Sequence, residues 1–347
     1  MGYACVDWRR DLYQNRDRNL VELAINRYHL DLKGYTVLTE AATGYYAWTP
    51  VICALAGADV LAFTAFRDNE YGSIHYTKDL VEFIAESSGV KDKILINAMP
   101  KEEAFAKADI VTNLGHVRPI NEYYIKLMKK DAVVTLMCEP WECRESDCDI
   151  HACRQNNIAV MGTNESDPKL DTFGYIGHLI VKLAMEKGIE IKGSRICIIG
   201  TGYKGYTGKP LLEMMRAKIE DKLTPFTDAL VIIEPNHSQE LIKAEQIMDI
   251  NPAIVVIHIV GNIDKMAMMA EGISVNPPRI VSPGRMAAAL DYLGPKPIID
   301  LHTAGLKVGE SLVRGLRLKG SFMDAEYYAV HRSPAKSVNT VLHGRIR

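Results

Sequence analysis

The sequence predicts an α/β protein of two domains, each a mostly parallel sheet with helices on both faces, and a cleft between them. Three observations predict it. The chain has 347 residues, room for two domains of about 150 residues each. Short apolar runs alternate with helical stretches in two successive series, and several runs are apolar on consecutive residues, as strands covered on both faces require. The second series opens with a strand that runs directly into a glycine-rich turn.

In chain order, residues 16–28 place Leu20, Leu23, Ala24 and Tyr28 at helical spacing, which predicts an amphipathic helix packed on the body. Strands are expected at 35–39, 60–66, 94–98, 110–114, 132–137 and 158–161. Segments 77–87, 121–129 and 147–155 are long enough for crossover helices. A long helix at 170–187, just after Pro168, bridges to a second series with strands at 195–199, 229–234, 254–259, 279–281 and 298–301. Residues 325–330 and 337–342 read as helical. The expected domains are 1–168 and 169–323, and 324–347 is a segment that could complete the first.

Composition narrows the function. Apolar residues are 48% and charged residues 24% of the chain, which excludes a disordered protein. Lys and Arg number 41 against 43 Asp and Glu, so no electrostatic footprint for nucleic acid or a membrane surface is present. The apolar run at 254–260 falls far short of the roughly 20 residues of a membrane span, and residues 1–10 carry no apolar signal region. Seven cysteines in a chain of this size read as reduced thiols. The expectation is a soluble cytoplasmic protein.

The strongest local signal is the run Gly200-Thr201-Gly202-Tyr203-Lys204-Gly205 after the apolar strand at 195–199. This is G-x-G-x-x-G between a strand and a helical segment. Gly200 permits the tight turn, Gly202 lets backbone approach a pyrophosphate, and Gly205 lets the helix lie close on the strand. Both domains are therefore read as Rossmann-like, the second holding the nucleotide. The strand at 229–234 ends in Glu234, a carboxylate suited to ribose hydroxyls and repellent to a 2′-phosphate. Gly208-Lys209-Pro210 is not an NTPase phosphate loop, because Pro stands where Ser or Thr would hold magnesium.

Several further segments resemble the D-2-hydroxyacid dehydrogenase (formate/glycerate dehydrogenase) superfamily, in matching order over roughly residues 108–305. These are Gly115-His116-Val117-Arg118, the run 149–164, Asp171-Thr172-Phe173-Gly174, Ala289-Leu290-Asp291 and Asp300-Leu301-His302. The resemblance implies two Rossmann-like domains, NAD or NADP, a substrate-binding Arg118 and a catalytic His302, with His116 beside the arginine. Lys296 stands where that family has the acidic partner of its histidine, and Gly261-Asn262-Ile263-Asp264 where it has an active-site arginine. That Gly-Asn-x-Asp loop is similar to the S-adenosylhomocysteine hydrolases, as are the segments 43–49 and 56–61. Gly261 and Asn262 then join the candidate cofactor residues.

The residues themselves supply candidate chemistry. His302 is expected at a strand end, where an imidazole could shuttle the proton that accompanies hydride transfer. Arg118, just beyond the strand at 110–114, could grip a substrate carboxylate bidentately. Glu40, Thr43, Gly44 and Tyr45 form a turn after the first strand that could cradle a substrate. Asp68, Glu70 and Tyr71 follow the second strand similarly. Cys138, Cys143, Cys148 and Cys153 recur every five residues. On a helix such steps spiral around the axis and the sulfurs do not converge, so no metal site is expected. No G-x-S-x-G elbow is present. The reading is an NAD(P)-dependent oxidoreductase acting on a small polar carbonyl, hydroxy acid or imine, as a homodimer. The alternative is an S-adenosylmethionine-dependent methyltransferase on the same scaffold, and a non-enzymatic scaffold is the third class.

Overall fold

A computed structural model describes residues 11–65, 73–235, 238–283 and 285–338. Asp68, Glu70 and Tyr71 lie outside the described residues. The chain forms two compact units, residues 1–170 with 298–347 and residues 171–297.

The first unit opens with helix α1 (Asp11–Tyr28) and continues β1 (Thr36–Glu40), α2 (Trp48–Leu55), β2 (Asp59–Phe63), α3 (Ile74–Ser87), β3 (Ile94–Ile96), α4 (Lys101–Lys107), β4 (Ile110–Thr112), α5 (Glu122–Ile125), β5 (Val133–Leu136), α6 (Ile150–Gln155) and β6 (Ala159–Thr163). The second carries α7 (Tyr175–Met185), β7 (Arg195–Ile199), α8 (Lys209–Met214), β8 (Lys218–Glu220), β9 (Ala229–Ile233), α9 (Ala244–Ile250), β10 (Val255–Val260), α10 (Lys265–Ala270) and β11 (Ser274–Asn276). Helix α11 (Pro295–Lys319) belongs to the first unit from Ile298 onward, and α12 (Phe322–Arg332) and β12 (Ala335–Ser337) complete that unit. No helix among the described residues is long and apolar enough to cross a membrane.

The first sheet has seven strands in the order β12-β6-β5-β4-β1-β2-β3. All pair in parallel except β12, which runs antiparallel to β6 with Ser337 opposite Met161. Its runs are apolar on successive residues because both faces are covered. Val37, Ile110 and Val133 enter one core, and Leu38, Val111 and Val134 the other. Helix α11 crosses the first of these faces. A Cβ on Gly309 would stand 2.7 Å from Ile110 Cγ2, and one on Gly305 would overlap Met137 Sδ, so two glycines four apart let the helix sink onto the strands.

Several expectations are corrected here. Residues 298–301 are helix, not strand. Over 25 residues the buried positions Ile299, Thr303, Leu306, Glu310 and Val313 recur at steps of four and three, a helical stripe that a four-residue window hides. The second unit accordingly ends at Pro297 rather than at 323. Residues 279–281 form no strand. The edge strand is β11, and Pro277-Pro278 after it offer no N–H to a ladder. The helix expected at 170–187 shortens to α7. Ser337, expected in a helix at 337–342, closes β12, and residues 339–342 are outside the described set.

The second sheet is fully parallel, in the order β11-β10-β9-β7-β8. Each sheet has one place where the chain reverses its direction of travel. In the first, β1 leads outward to β2 and β3, then the chain returns to place β4 on the other side of β1. In the second, β8 lies on one side of β7 and β9 on the other. Open α/β sheets bind ligands beyond the carboxyl ends of such strand pairs.

Candidate functional sites at two switch points

At the first switch point, Glu40 ends β1 and is 6% exposed. Its Oε2 accepts the backbone N–H of His116, in the loop after β4, at 3.1 Å. His116 Nδ1 in turn accepts the Ala65 N–H, after β2, at 3.2 Å, so a neutral ring carries its proton on Nε2. Thr64 and Asn97 close the lacing. The Asn97 side chain accepts the Thr64 N–H at 3.1 Å and donates to the Thr64 carbonyl at 2.8 Å. Loops after four adjacent strands are thus tied together beside Glu40. Thr43, Gly44 and Tyr45 follow Glu40 as expected. Gly44–Ala47 form a 3-10 turn, with Gly44 at φ +59° and nothing within 4 Å of a Cβ placed there.

Arg118 does not point an idle guanidinium at this edge. Its Nη1 meets Asp147 Oδ2 at 2.8 Å, and its Nε donates to the Asn113 carbonyl. Asn113, fully buried, accepts the Met137 N–H at 2.7 Å through Oδ1 and donates to Cys138 Sγ at 3.6 Å. The arginine therefore fastens the loop that carries His116.

His302 sits inside α11 and not at a strand end, which corrects the premise of its sequence assignment. It is 3% exposed, its Nδ1 lies 2.6 Å from Thr49 Oγ1, and its ring centroid lies 5.6 Å from that of Tyr46. Burial pushes its pKa down to about 4, so near neutral pH it is an uncharged imidazole.

At the second switch point, Gly200 has φ +115°, and a Cβ there would overlap the Ile233 carbonyl and stand 2.9 Å from Glu234 Cβ. The Gly202 N–H donates to the Ile233 carbonyl at 2.9 Å. Thr201 donates its N–H at 2.9 Å and its hydroxyl at 2.7 Å to one oxygen, Oε2, of Glu234. Tyr203 is buried and stacks on Phe173 with centroids 5.6 Å apart. Lys204 takes the left-handed conformation at φ +50°. Gly205, at φ +84°, meets no described residue within 4 Å where a Cβ would stand. The helix expected directly after the turn begins only at Lys209. Gly208 precedes it, packed so that a Cβ would stand 2.9 Å from Gly177 Cα of α7.

Topology changes the meaning of Glu234. It follows β9, across the switch point from the strand that succeeds the glycine turn. That strand is β8. Glu220 at its end is engaged by Thr227 at 2.6 Å and by Arg195 Nε at 2.6 Å, contacts that lower its pKa, Thr227 foremost. The next residue, Asp221, is exposed and stands about 20 residues beyond the turn, the usual spacing of a ribose-binding acid. It escapes a reading by hydrophobic pattern because β8 is three residues long and charged at both ends. The spacing is the signal that could find it.

Gly261 and Asn262 follow β10. The Gly261 carbonyl lies 3.1 Å from His258 Nε2, and the Asn262 side chain donates to the Ser238 carbonyl at 3.2 Å. His258 is buried, and its Nδ1 has no hydrogen-bond partner among the described residues. Burial, then the nearby Lys265 charge, pushes its pKa down to about 4. Lys265 is buried too, donating to the carbonyls of Pro277 at 2.8 Å and Arg279 at 2.6 Å. Burial, then the charge of Arg279, lowers it to about 8.

The cysteine series departs from its helical expectation. Residues 143–149 are not helical. Cys143 hydrogen-bonds Cys148, and Cys148 hydrogen-bonds Cys153, so three of the four thiols form a buried chain in one core. Among the described residues no group of three or more His, Cys, Asp or Glu side chains is arranged to hold a metal ion.

No protein-family model matches the sequence, and no curated protein shows significant similarity to it. Solved structures do resemble it. A dipicolinate synthase from Bacillus halodurans aligns at 12% identity and TM-score 0.50, over 79% of this chain and 96% of its own. The dipicolinate synthase of Bacillus subtilis aligns at 10% identity and TM-score 0.50, over 84% and 98%. NAD+-bound 3-phosphoglycerate dehydrogenase from Entamoeba histolytica aligns at 15% identity and TM-score 0.44, over 83% and 97%. The chain thus shares the fold of the two dipicolinate synthase structures. At these identities the likeness is one of fold. The similarity to S-adenosylhomocysteine hydrolases rests on the sequence segments alone.

Proposed function

We propose that the second unit binds a nicotinamide dinucleotide, NAD or NADP, and that the chain is an oxidoreductase acting on a small polar carbonyl, hydroxy acid or imine. The observation that carries this reading is the glycine turn at the switch point between β7 and β9. There no described residue stands within 4 Å of a Cβ placed on Gly205, while Gly200 and Gly202 are held against the neighbouring strand end. Those residues fit a dinucleotide. Gly205 leaves room for a phosphate beside main chain, and the exposed Asp221 suits two ribose hydroxyls, favouring NAD over NADP. Bound there, the dinucleotide would supply or accept the hydride.

The chain's own residues would handle the proton. His116 is the better placed imidazole, because it stands at the first switch point with its ring proton on Nε2, whereas His302 is buried and uncharged. Glu40 would hold the His116 loop in place for a substrate. The fold shared with the two dipicolinate synthase structures is consistent with small-molecule chemistry on this scaffold.

Titration with NADH, NADPH and S-adenosylhomocysteine tests the reading. The expected outcome is a fluorescence change and thermal stabilisation with a nicotinamide nucleotide, abolished in Gly205→Val. Absence of any response to both nicotinamide nucleotides would remove it. We also propose a homodimer, which a monomer mass in light scattering would overturn.

A further inference from the structure

Away from both switch points, at the carboxyl ends of β5 and β6, two buried glutamates face one another. Glu139, 0% exposed, follows β5, and Glu165, 5% exposed, follows β6. Each accepts the other's backbone N–H. The Glu139 N–H donates to Glu165 Oε1 at 3.2 Å, and the Glu165 N–H donates to Glu139 Oε1 at 3.1 Å. The positive charge that meets them comes from the last strand. Lys336 of β12 reaches both Glu139 oxygens, at 3.0 and 2.7 Å. Beside Lys336, the Asn164 N–H donates to the Pro334 carbonyl at 2.7 Å, so the Glu165 turn and the start of β12 are joined by main chain as well.

The charges do not balance if both carboxyls ionise. Lys336 neutralises Glu139. Glu165 then faces Glu139 after β5, Glu142 in the turn Pro140–Glu142 and the Cys138 thiol, with Lys336 from β12 opposing them. Beyond Lys336, Ser337 of β12 meets Glu326 of α12 at 3.4 Å, and the charge facing Glu326 there is that of Arg154 of α6. A buried carboxyl in such company is held in its neutral form by desolvation and then by like charge. Burial, followed by Glu142 and Glu139, drives the Glu165 carboxyl well above the usual carboxylate range.

We propose that the buried Glu165 carboxyl keeps its proton in the folded chain and that this proton fastens β12 to the sheet. Its loss at raised pH frees the Glu165 turn and the strand that Lys336 anchors. The inference is independent of the nucleotide reading, since it concerns a different edge of the first sheet.

The sign of the pH dependence follows from linkage. The native state binds one more proton than the unfolded chain wherever pH exceeds an ordinary glutamate pKa and Glu165 is still protonated. Stability is therefore full at low pH and declines as pH rises through that window. One linked proton changes the folding equilibrium about ten-fold per pH unit. Glu165→Gln keeps an oxygen for the Glu139 N–H and removes the ionisation.

The experiment compares hydrogen exchange of the peptides covering 159–165 and 333–338, in wild type and Glu165→Gln, between pH 6 and pH 9, after correction for intrinsic exchange rates. The expected result is protection in wild type that falls with pH, and protection in the variant that does not. Equal pH slopes in the two proteins would overturn the proposal. If the variant fails to fold, infrared spectroscopy of wild type decides: a protonated-carboxyl band persisting at pH 7 and titrating above it supports the protonated carboxyl, and its absence refutes it.

Discussion

Both switch points use the same device and end in opposite states. In each, a glutamate at a strand end accepts an amide N–H from the loop across the strand pair: Glu40 from His116 and Glu234 from Thr201. Around Glu40 the remaining fastenings are side chains, with Asn97, Asn113, His116 and Arg118 binding loop backbone on neighbouring strands. Around Glu234 they are glycines, whose missing side chains let main chain meet main chain. The first arrangement shuts its loops around buried polar groups. The second leaves Gly205 facing open space. A polar lattice fixes where reactive groups stand, and a glycine turn keeps room for a ligand to enter.

Breaking the glycine turn is expected to have the largest effect. Gly200→Val puts a branched side chain at φ +115° against the Ile233 carbonyl. It is expected to cost more than about 3 kcal/mol, read as a lowered denaturation midpoint and loss of nucleotide response together. If the variant retains wild-type stability, the turn is not packed as described.

Acid sharpens the comparison next. Each unit holds a buried neutral histidine, His302 and His258, both pushed down to about 4. The unfolded chain binds their protons first, so the stability that depends on them is full above the ordinary histidine pKa and is lost as pH falls from about 6.5 toward 4. Thermal melts across that range should show a slope of up to two protons, reduced by one in His302→Gln. An unchanged slope in that variant would place the titration elsewhere.

The smallest effect discriminates the two glutamates. Glu40→Ala leaves the His116 N–H without its acceptor in a part-buried setting and should cost about 1–3 kcal/mol. Glu234→Ala should cost less than about 1 kcal/mol, because Thr201 is exposed and water can replace the carboxylate. Denaturant titrations that returned the opposite order would undo the contrast between a shut lattice and an open turn.

Much of this is legible in the sequence. The parallel sheets follow from consecutive apolar runs such as 132–137, and the glycine turn lies where its strand context places it. Failures come where a local window meets a longer pattern. Residues 298–301 look like a strand until Thr303, Leu306 and Glu310 extend the stripe, and His302 moves with them. Asp221 is passed over beside Glu234 because β8 is too short and too charged to register as a strand. The thiols of Cys143, Cys148 and Cys153 meet because the segment before α6 abandons helical geometry, which spacing alone does not reveal. The ion pair of Arg118 with Asp147 spans 29 positions, a distance at which sequence carries no pairing signal.

Helix α11 has one further consequence. It supplies Ile299, Leu306, Val308, Leu312 and Val313 to a core whose other members, apart from Ala325 and Ala329 of α12, lie between Val21 and Met161, while residues 171–297 form their own unit in between. As the polypeptide leaves the ribosome, the inserted half can close on itself while six strands of the interrupted half still await their covering helix. Until that late segment emerges, the apolar face it will cover and the outer edge of β6 are open to chaperones, or to other nascent copies.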